Sequence, residues 1–552
     1  MGFGVNRYLR STCVLMLLTV SCGDSGSLGS YSGTSGPDPL FDQQWFLINS
    51  GQSAFSTGAA TIGKDINYQT SVSQGYSGAG VHVLLSDDGM EIDHEDLAAN
   101  YDASRSRDYT QPAPYAGSGA HKSAMDMHGT AVAGIIAAVG NNSIGVRGVA
   151  SGVSISSANL VSSSVSLSTA MLVDQADTTA EIVNQSWGST QNFINVISPT
   201  YLAQIASAVS TKRSGKGTVF VQSAGNNYRV SVGGGLYRVG NSNFDGLKST
   251  SYTLVVGALD SADSSTSTSS TGSNLWLSAY GGGDGATTPA ILTTDRAGCN
   301  NGLSISIATK NTFESGSNLL NSNCNYTSAM NGTSSAAAMV SGATALMLEA
   351  NPNLSWRDVR HIYATTSVKV NPSIGSVENP NVASPSGHVW QQGWVENAAH
   401  YSFHNRFGFG KLDVDAAVAM AKTYSVNLGT DQTSNASSGA VSIAIPEDNS
   451  GSTSILSDAS GLTVETVQIK VSITHPNVGE IALELTSPSN TKSIVKNIND
   501  SLSGVANLSD AVFTSNAFYG ESSSGNWTLK VLDAATGNTG TLTNWTITIR
   551  GH

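Results

Sequence analysis

The sequence predicts an α/β domain, a parallel sheet with helices on both faces, followed by an all-β sandwich domain. Three observations predict it. Short β-rich apolar runs alternate with helical ones from residue 81 onward, and such alternation builds a parallel sheet covered on both sides. Beyond about residue 424 the pattern changes to short alternating strands separated by turn residues. The chain has 552 residues, 39% of them hydrophobic, which is enough to bury a large core in two or three domains.

In chain order, the first segment carries basic Arg7 and Arg10, an apolar run over 13–20 and then Ser21-Cys22-Gly23. It reads as an export signal over 1–22 rather than as part of the fold. Cys22 follows small residues and precedes a Gly/Ser-rich tether over 23–37, so it is a lipidation candidate that would anchor the chain to a membrane. Simple signal cleavage nearby is the alternative. No later run approaches the roughly 18 apolar residues that span a bilayer, so the body of the protein is expected to be water-soluble. A catalytic-type α/β domain is assigned to 38–423 and the sandwich to 424–552.

Within the α/β part the strands are placed at 81–86, 153–160, 181–185 and 217–222, and helices at 128–139 and 201–212. A run over 336–350 almost free of polar interruptions reads as a buried helix. The next helix, over 355–366, starts on Ser355 with the acidic partner Asp358, a capping pattern. The segment 371–405 has no clear period and reads as an insertion or long surface loop, in which Trp390 and Trp394 either pack or offer a contact surface. In the sandwich the strands fall at 441–445, 464–474, 481–486, 527–533 and 545–549.

Composition narrows the function classes. The net charge of −13 argues against a nucleic-acid partner, which normally needs a basic patch to displace counterions. Only 12% of residues are charged while Gly and Ser abound, a neutral-polar surface that suits an exported protein. With Cys13 and Cys22 in the signal, Cys299 and Cys324 remain. An exported compartment permits them to pair, with two free thiols as the alternative.

Four motifs carry chemistry: Asp87-Asp88-Gly89 after an apolar strand, His128-Gly129-Thr130 at the head of a helix, Ser223-Ala224-Gly225-Asn226 after another strand, and Asn331-Gly332-Thr333-Ser334-Ser335-Ala336 opening the buried helix. An alcohol is a poor nucleophile at neutral pH, so Ser334 needs a neutral imidazole to take its proton, and His128 is the candidate. The imidazolium so formed needs an oriented carboxylate, which Asp87 at a strand end can supply. Attack on a carbonyl creates an oxyanion. Asn226 can donate to it from its side-chain amide, and the backbone N–H of Ser334, free at a helix start, is the second donor.

Asp, His, Asn and Ser in this order resemble the subtilisin-type serine proteases. The likeness narrows at Asp38-Pro39-Leu40-Phe41-Asp42, Asp65-Ile66-Asn67, Ser186-Trp187-Gly188 and Phe244-Asp245-Gly246, which resemble the kexin and furin branch of the subtilases. In the C-terminal part, Gly525-Asn526-Trp527-Thr528-Leu529 and Asn544-Trp545 resemble the jelly-roll-like P domain that accompanies those proteases. The resemblance runs from about Asp38 to the end. It implies a subtilisin-like fold, protein or peptide substrates, and a substrate strand laid beside Ser186, Trp187 and Gly188. It implies that Asp88 favours a basic residue at the second position before the cut and that Asp245 is an acid at the base of the first pocket. It also implies a Ca2+ site in which Asp38 and Asp96 supply carboxylates and Val139, Asn142, Ile144 and Val146 supply loop oxygens.

The chain departs from that branch in three places. Ser189, Thr190 and Gln191 stand where a further pocket acid is expected, Ala279 replaces another acid, and Ala338 replaces the proline that follows the serine. The first two losses remove the calcium site that the family has behind its first pocket. The favoured expectation is an exported, calcium-stabilised serine endopeptidase that cuts after basic, and best after paired basic, residues. The alternatives are a broad subtilase in which Asp245 is structural, and a non-catalytic surface-binding protein. About fifteen residues between Cys22 and Asp38 leave no room for an inhibitory prodomain. Folding is therefore expected to be unaided or assisted by a separate chaperone or inhibitor acting in trans.

Overall fold

The computed structural model describes residues 36–231, 237–306, 310–376, 389–447, 450–533 and 535–552. The expected export signal with Cys22, nearly all of the tether and residues 377–388 lie outside the described residues. Among those that are described, no helix is long and apolar enough to cross a membrane.

Six strands make one parallel sheet: β1 (His82–Ser86), β2 (Ser154–Ala158), β3 (Ile182–Gln185), β4 (Val219–Ser223), β5 (Thr253–Leu259) and β6 (Leu275–Tyr280). Their spatial order is β2-β1-β3-β4-β5-β6, and every neighbouring pair is parallel. All residues of β1, β3, β4, β5 and β6 are buried, as expected for a parallel sheet covered on both faces. The order reverses at β1, with β2 on one side and β3 on the other. In open α/β sheets ligands bind beyond the carboxyl ends of strands at such a reversal.

Helices α1 (His128–Ala137), α2 (Thr169–Ala176) and α3 (Pro199–Gly215) provide the first crossovers. Pro199 starts α3, where its missing N–H costs nothing, and the helix breaks at Lys212–Ser214. The long α4 (Thr333–Ala350) is buried on every side from Thr333 to Leu348 and lies against β1, β3, β4, β5 and β6. Its small residues allow that: a methyl on Gly342 would stand 2.6 Å from Val149 Cβ. The next helix, α5 (Trp356–Thr366), carries the expected capping box, Ser355 accepting from Asp358 N and Asp358 accepting from Ser355 N.

The C-terminal part has two antiparallel sheets, one ordered Gln432–Ser437, Gly540–Gly551, Val464–Thr474, Leu508–Ser515 and the other Ser452–Asp458, Gly525–Asp533, Ile481–Thr486, Lys492–Lys496. Alternate residues point inward, including Val467, Ile469 and Val471 from one sheet and Trp527, Leu529 and Val531 from the other. They join Trp545 in a single buried cluster.

The two parts share polar and apolar contacts. On α5, Arg357 pairs with Glu465, while the Arg360 guanidinium lies 3.8 Å from the Trp276 ring centroid and donates to Thr466 Oγ1 at 2.8 Å. Trp390 is buried with Ala482, Ile498 and Leu532 and donates to the Ile498 carbonyl at 2.9 Å. Trp394 stacks on Phe407. Asn397 donates to the carbonyls of Ala517 and Tyr519. Within its described residues, then, the 371–405 segment fastens the sandwich to the α/β domain rather than standing off as a surface loop.

Candidate active site

Chain direction brings the four motifs to one edge of the sheet. Asp87 follows β1, and its N–H donates to the Ala158 carbonyl, which fixes the turn. Its carboxylate is 1% exposed. Oδ1 accepts from His128 Nδ1 at 2.7 Å and from Asp88 N at 2.9 Å, while Oδ2 has no hydrogen-bond partner among the described residues. An Nδ1–H that donates to Asp87 leaves His128 Nε2 with the lone pair that a proton acceptor needs.

Asp88 faces the start of α1. Its Oδ2 accepts from His128 N at 2.9 Å and its Oδ1 from Gly129 N at 2.7 Å. Two of the orphan donors of that helix are thereby satisfied, and a negative charge sits at the positive end of its dipole. Burial and the neighbouring Asp87 charge push the Asp88 carboxyl up to about 7. Burial pulls the His128 imidazole down, but the charge and hydrogen bond of Asp87, with the charge of Asp88, carry it up to about 9. The His128 side chain is 33% exposed, so one face of the ring remains open to an incoming group.

Ser334 is the second residue of α4. The helix begins on Gly332, whose φ of +93° is open to glycine and where a methyl would lie 2.8 Å from Asn226 Nδ2. Asn226 follows β4, and its Oδ1 accepts from both Thr333 N and Thr333 Oγ1 at 3.0 Å. That orientation commits the amide oxygen and leaves Nδ2 as a donor beside Ser334. The Ser334 hydroxyl itself donates to the Ser186 carbonyl at 3.1 Å, and the Ser186 hydroxyl donates to the Ser334 carbonyl at 3.1 Å. Among the described residues no hydrogen bond joins Ser334 Oγ to His128. Catalytic hydrogen bonds often tighten only when substrate is bound.

The backbone over 186–188 continues from β3 beside Ser334. Gln222 donates to the Trp187 carbonyl, and Gly188 is exposed. Asp245, at the end of a short turn of 3-10 helix, is 0% exposed. It accepts from Ser189 N at 2.9 Å and Leu247 N at 3.1 Å, and it pairs with Lys248 Nζ at 3.2 Å. Sequence reasoning missed Lys248. The available signal was its spacing of three residues from Asp245, close enough for the side chain to turn back on the acid. Gln191, where an acid was expected, donates instead to the Ala224 carbonyl at 2.9 Å, and its own carbonyl accepts from Ser501 of the sandwich.

A second acidic group is built by Asp38 and Asp96. Asp38 accepts from Asn141 N and Asn142 N. Asp96 accepts from Asn142 Nδ2 at 2.8 Å and Val146 N at 2.9 Å. The loop over 139–146 thus wraps two buried carboxylates. Burial raises both, Asp96 to about 7, with the Asp38 charge adding to it. Arg147 Nε, 3.9 Å from Asp38, is the nearby cation. Two buried acids of one sign supply the carboxylate oxygens a hard divalent cation uses, while the loop turns nitrogen donors to them. Cys299 and Cys324 are joined as a disulfide within the excursion that leads into α4.

Comparisons with known proteins show the family of the chain. Residues 78–410 match the model of the subtilase family, and residues 464–549 match that of the proprotein convertase P-domain. The chain is 35% identical over 544 residues to the Aeromonas extracellular serine protease of Aeromonas sobria, covering 91% of this chain and 85% of that protein. It is 28% identical to the neuroendocrine convertase 2 of Homo sapiens, covering 93% of this chain and 74% of the relative. Among solved structures, the serine protease of Aeromonas sobria superimposes with a TM-score of 0.86 at 31% identity, over 96% of this chain and 99% of that one. A second structure, the same protease in complex with the chaperone ORF2, also gives 0.86 at 31% identity, over 96% of this chain and 98% of that one.

Proposed function

The chain belongs to the subtilase family of serine proteases, and from that premise we propose that it is an exported endopeptidase working through Asp87, His128 and Ser334. The observation that carries the proposal is the 2.7 Å contact between Asp87 Oδ1 and His128 Nδ1, on the same sheet edge as Ser334 at the head of α4. His128 Nε2 takes the proton of Ser334 Oγ as the hydroxyl attacks the scissile carbonyl. Asp87 stabilises the imidazolium without being protonated. Asn226 Nδ2 and the Ser334 N–H hold the oxyanion, and a side-chain donor in that role is worth about 2.7–4 kcal/mol, a range measured in subtilisin. His128 then gives its proton to the leaving amine. Water repeats the sequence to release the acyl group.

The substrate chain would lie beside Ser186, Trp187 and Gly188 as an added strand. Of the specificities the resemblance leaves open, cleavage after many residue types fits Asp245 better than cleavage after basic ones, because its carboxylate already has a buried counter-ion. Asp88, with both oxygens on backbone donors, acts first as a helix cap and only through its charge on a basic neighbour of the cut. Calcium would be held by Asp38 and Asp96 with the 139–146 loop, where it neutralises the two acids and ties the N-terminal segment to the sheet.

Export is supported by the extracellular relative of Aeromonas sobria. A separate folding helper is supported by the relative solved with a chaperone. Labelling by a fluorophosphonate, with hydrolysis of an unstructured protein, tests the reaction. We expect modification and cleavage that both vanish in Ser334→Ala. Cleavage that survives in that variant, or a chain that no fluorophosphonate modifies, would sink the reading.

A further inference from the structure

The segments that flank Ser334 run side by side, and Lys248 Nζ lies in the space between them. On one side runs 186–188, whose Ser186 carbonyl accepts from the nucleophile. On the other runs 224–226, tied to the same helix start by Gly225 N donating to Thr333 Oγ1 at 3.1 Å. Both walls are glycine where they face that space. A methyl on Gly188 would stand 2.3 Å from Lys248 Nζ and 2.8 Å from Asp245 Oδ2, and one on Gly225 would stand 2.6 Å from Gln191 Nε2 and 3.2 Å from the same Nζ. The ammonium therefore sits between the two walls, with its side chain 1% exposed.

A peptide whose scissile carbonyl rests between Ser334 Oγ and Asn226 Nδ2 sends the side chain of the residue preceding the cut toward this space. There it meets a pair whose charges cancel rather than a bare carboxylate. Asp245 is committed to Lys248, Ser189 N and Leu247 N. Lys248 Nζ has that ion pair but, among the described residues, no hydrogen-bonded partner. A buried ammonium with unused N–H donors recognises an acceptor and repels a cation.

We infer that Lys248 sets the specificity of the first pocket: its ammonium cancels Asp245, turns away Arg and Lys, and receives a side chain that ends in an acceptor oxygen. The inference rests on the protease reading and deepens it, for it names what the cleft selects. Rejection comes from a second cation finding the only nearby carboxylate already neutralised by an ammonium in a buried site, a device built against Arg and Lys rather than a contact made to another residue.

The test is kcat/KM, normalised by active-site titration, on peptides that differ only in the residue before the cut, Gln, Leu, Lys or Arg, for the native chain and for Lys248→Met. The native enzyme should cut after Gln at least roughly 10-fold better than after Arg. In Lys248→Met that ratio should reverse, because Asp245 is then free to pair with the substrate. A native enzyme that prefers Arg, or a ratio unchanged in Lys248→Met, overturns the inference. The native ratio decides even if the variant folds poorly. The protease reading fails differently, through the absence of titratable sites and of cleavage of all four peptides.

Discussion

Asp87 and Asp245 are both buried, at 1% and 0% exposure, both lie near the nucleophile, and both accept backbone N–H groups. They differ in the cation beside them. Asp87 faces His128, a base whose proton can leave and whose ring is one-third exposed. Asp245 faces Lys248, an ammonium enclosed with it. The first pair can cycle through a reaction, while the second is a standing charge pair that shapes a pocket. An acid in a cleft is thus defined by what its partner can do with a proton, and residue type and burial alone do not distinguish a catalytic carboxylate from a structural one.

The contrast can be broken by exchanging the roles. Asp87→Asn should lower kcat by about 10,000-fold while the protein still folds, measured by single-turnover hydrolysis. Asp245→Asn should do the reverse: it strands the Lys248 ammonium, and losing one member of a buried pair costs about 3–5 kcal/mol of stability, read by denaturant unfolding, with much of kcat retained on a peptide carrying Gln before the cut. A loss of kcat in Asp245→Asn as large as that in Asp87→Asn would erase the distinction. Asn226→Ala belongs with the catalytic group and should cost about 100- to 1,000-fold in kcat with little change in KM.

Ion removal sharpens the comparison with a third pair of acids, Asp38 and Asp96, which we expect to be partnered by calcium. Their folded pKa values are raised by burial, so the calcium-free fold loses stability as pH rises from about 4, and Asp96 becomes charged only near about 7. Calcium at about 100 times its Kd should restore about 2.7 kcal/mol. The drop in Tm on adding a chelator should therefore be larger near pH 8 than near pH 5.

The smallest effect concerns the neighbour of Asp87. His128 acts as a base only when neutral, and its pKa is carried up to about 9, so kcat/KM should climb with pH through an alkaline limb. Asp88→Asn removes one of the charges that hold it there and should move the limb to lower pH. The same shift stabilises the fold, fully below about pH 6.5 and decreasingly as pH rises through about 9. A limb that stays in place in Asp88→Asn would show that Asp87 alone sets it.

The sequence made some of this legible for physical reasons. Residues that must sit at strand ends and helix starts are flagged by the apolar runs beside them, which is how Asp87, His128, Asn226 and Ser334 could be placed. Strands Val464–Thr474 and Ile481–Thr486 alternate inward and outward, and their bounds are those expected. β5 and β6 were not placed: like β1, β3 and β4 they are buried throughout and carry no period, but no catalytic-type motif at their ends drew attention to them. Lys248 was hidden for another reason. A lysine is normally expected in water, and only the fold shows that its chain turns inward toward Asp245. The capping role of Asp88 was equally silent, because it depends on backbone N–H groups that no side-chain pattern reports.

The hydrogen bond from Ser501 to the Gln191 carbonyl carries a consequence for the lifetime of the molecule. Gln191 in turn holds the Ala224 carbonyl, two residues from the Asn226 amide. The C-terminal sandwich therefore reaches the cleft through one glutamine. A protease works among active copies of itself, and its exposed connections are the first to be nicked. A copy that lost its sandwich would also lose the brace on that wall, so damage to one domain would be felt in the other.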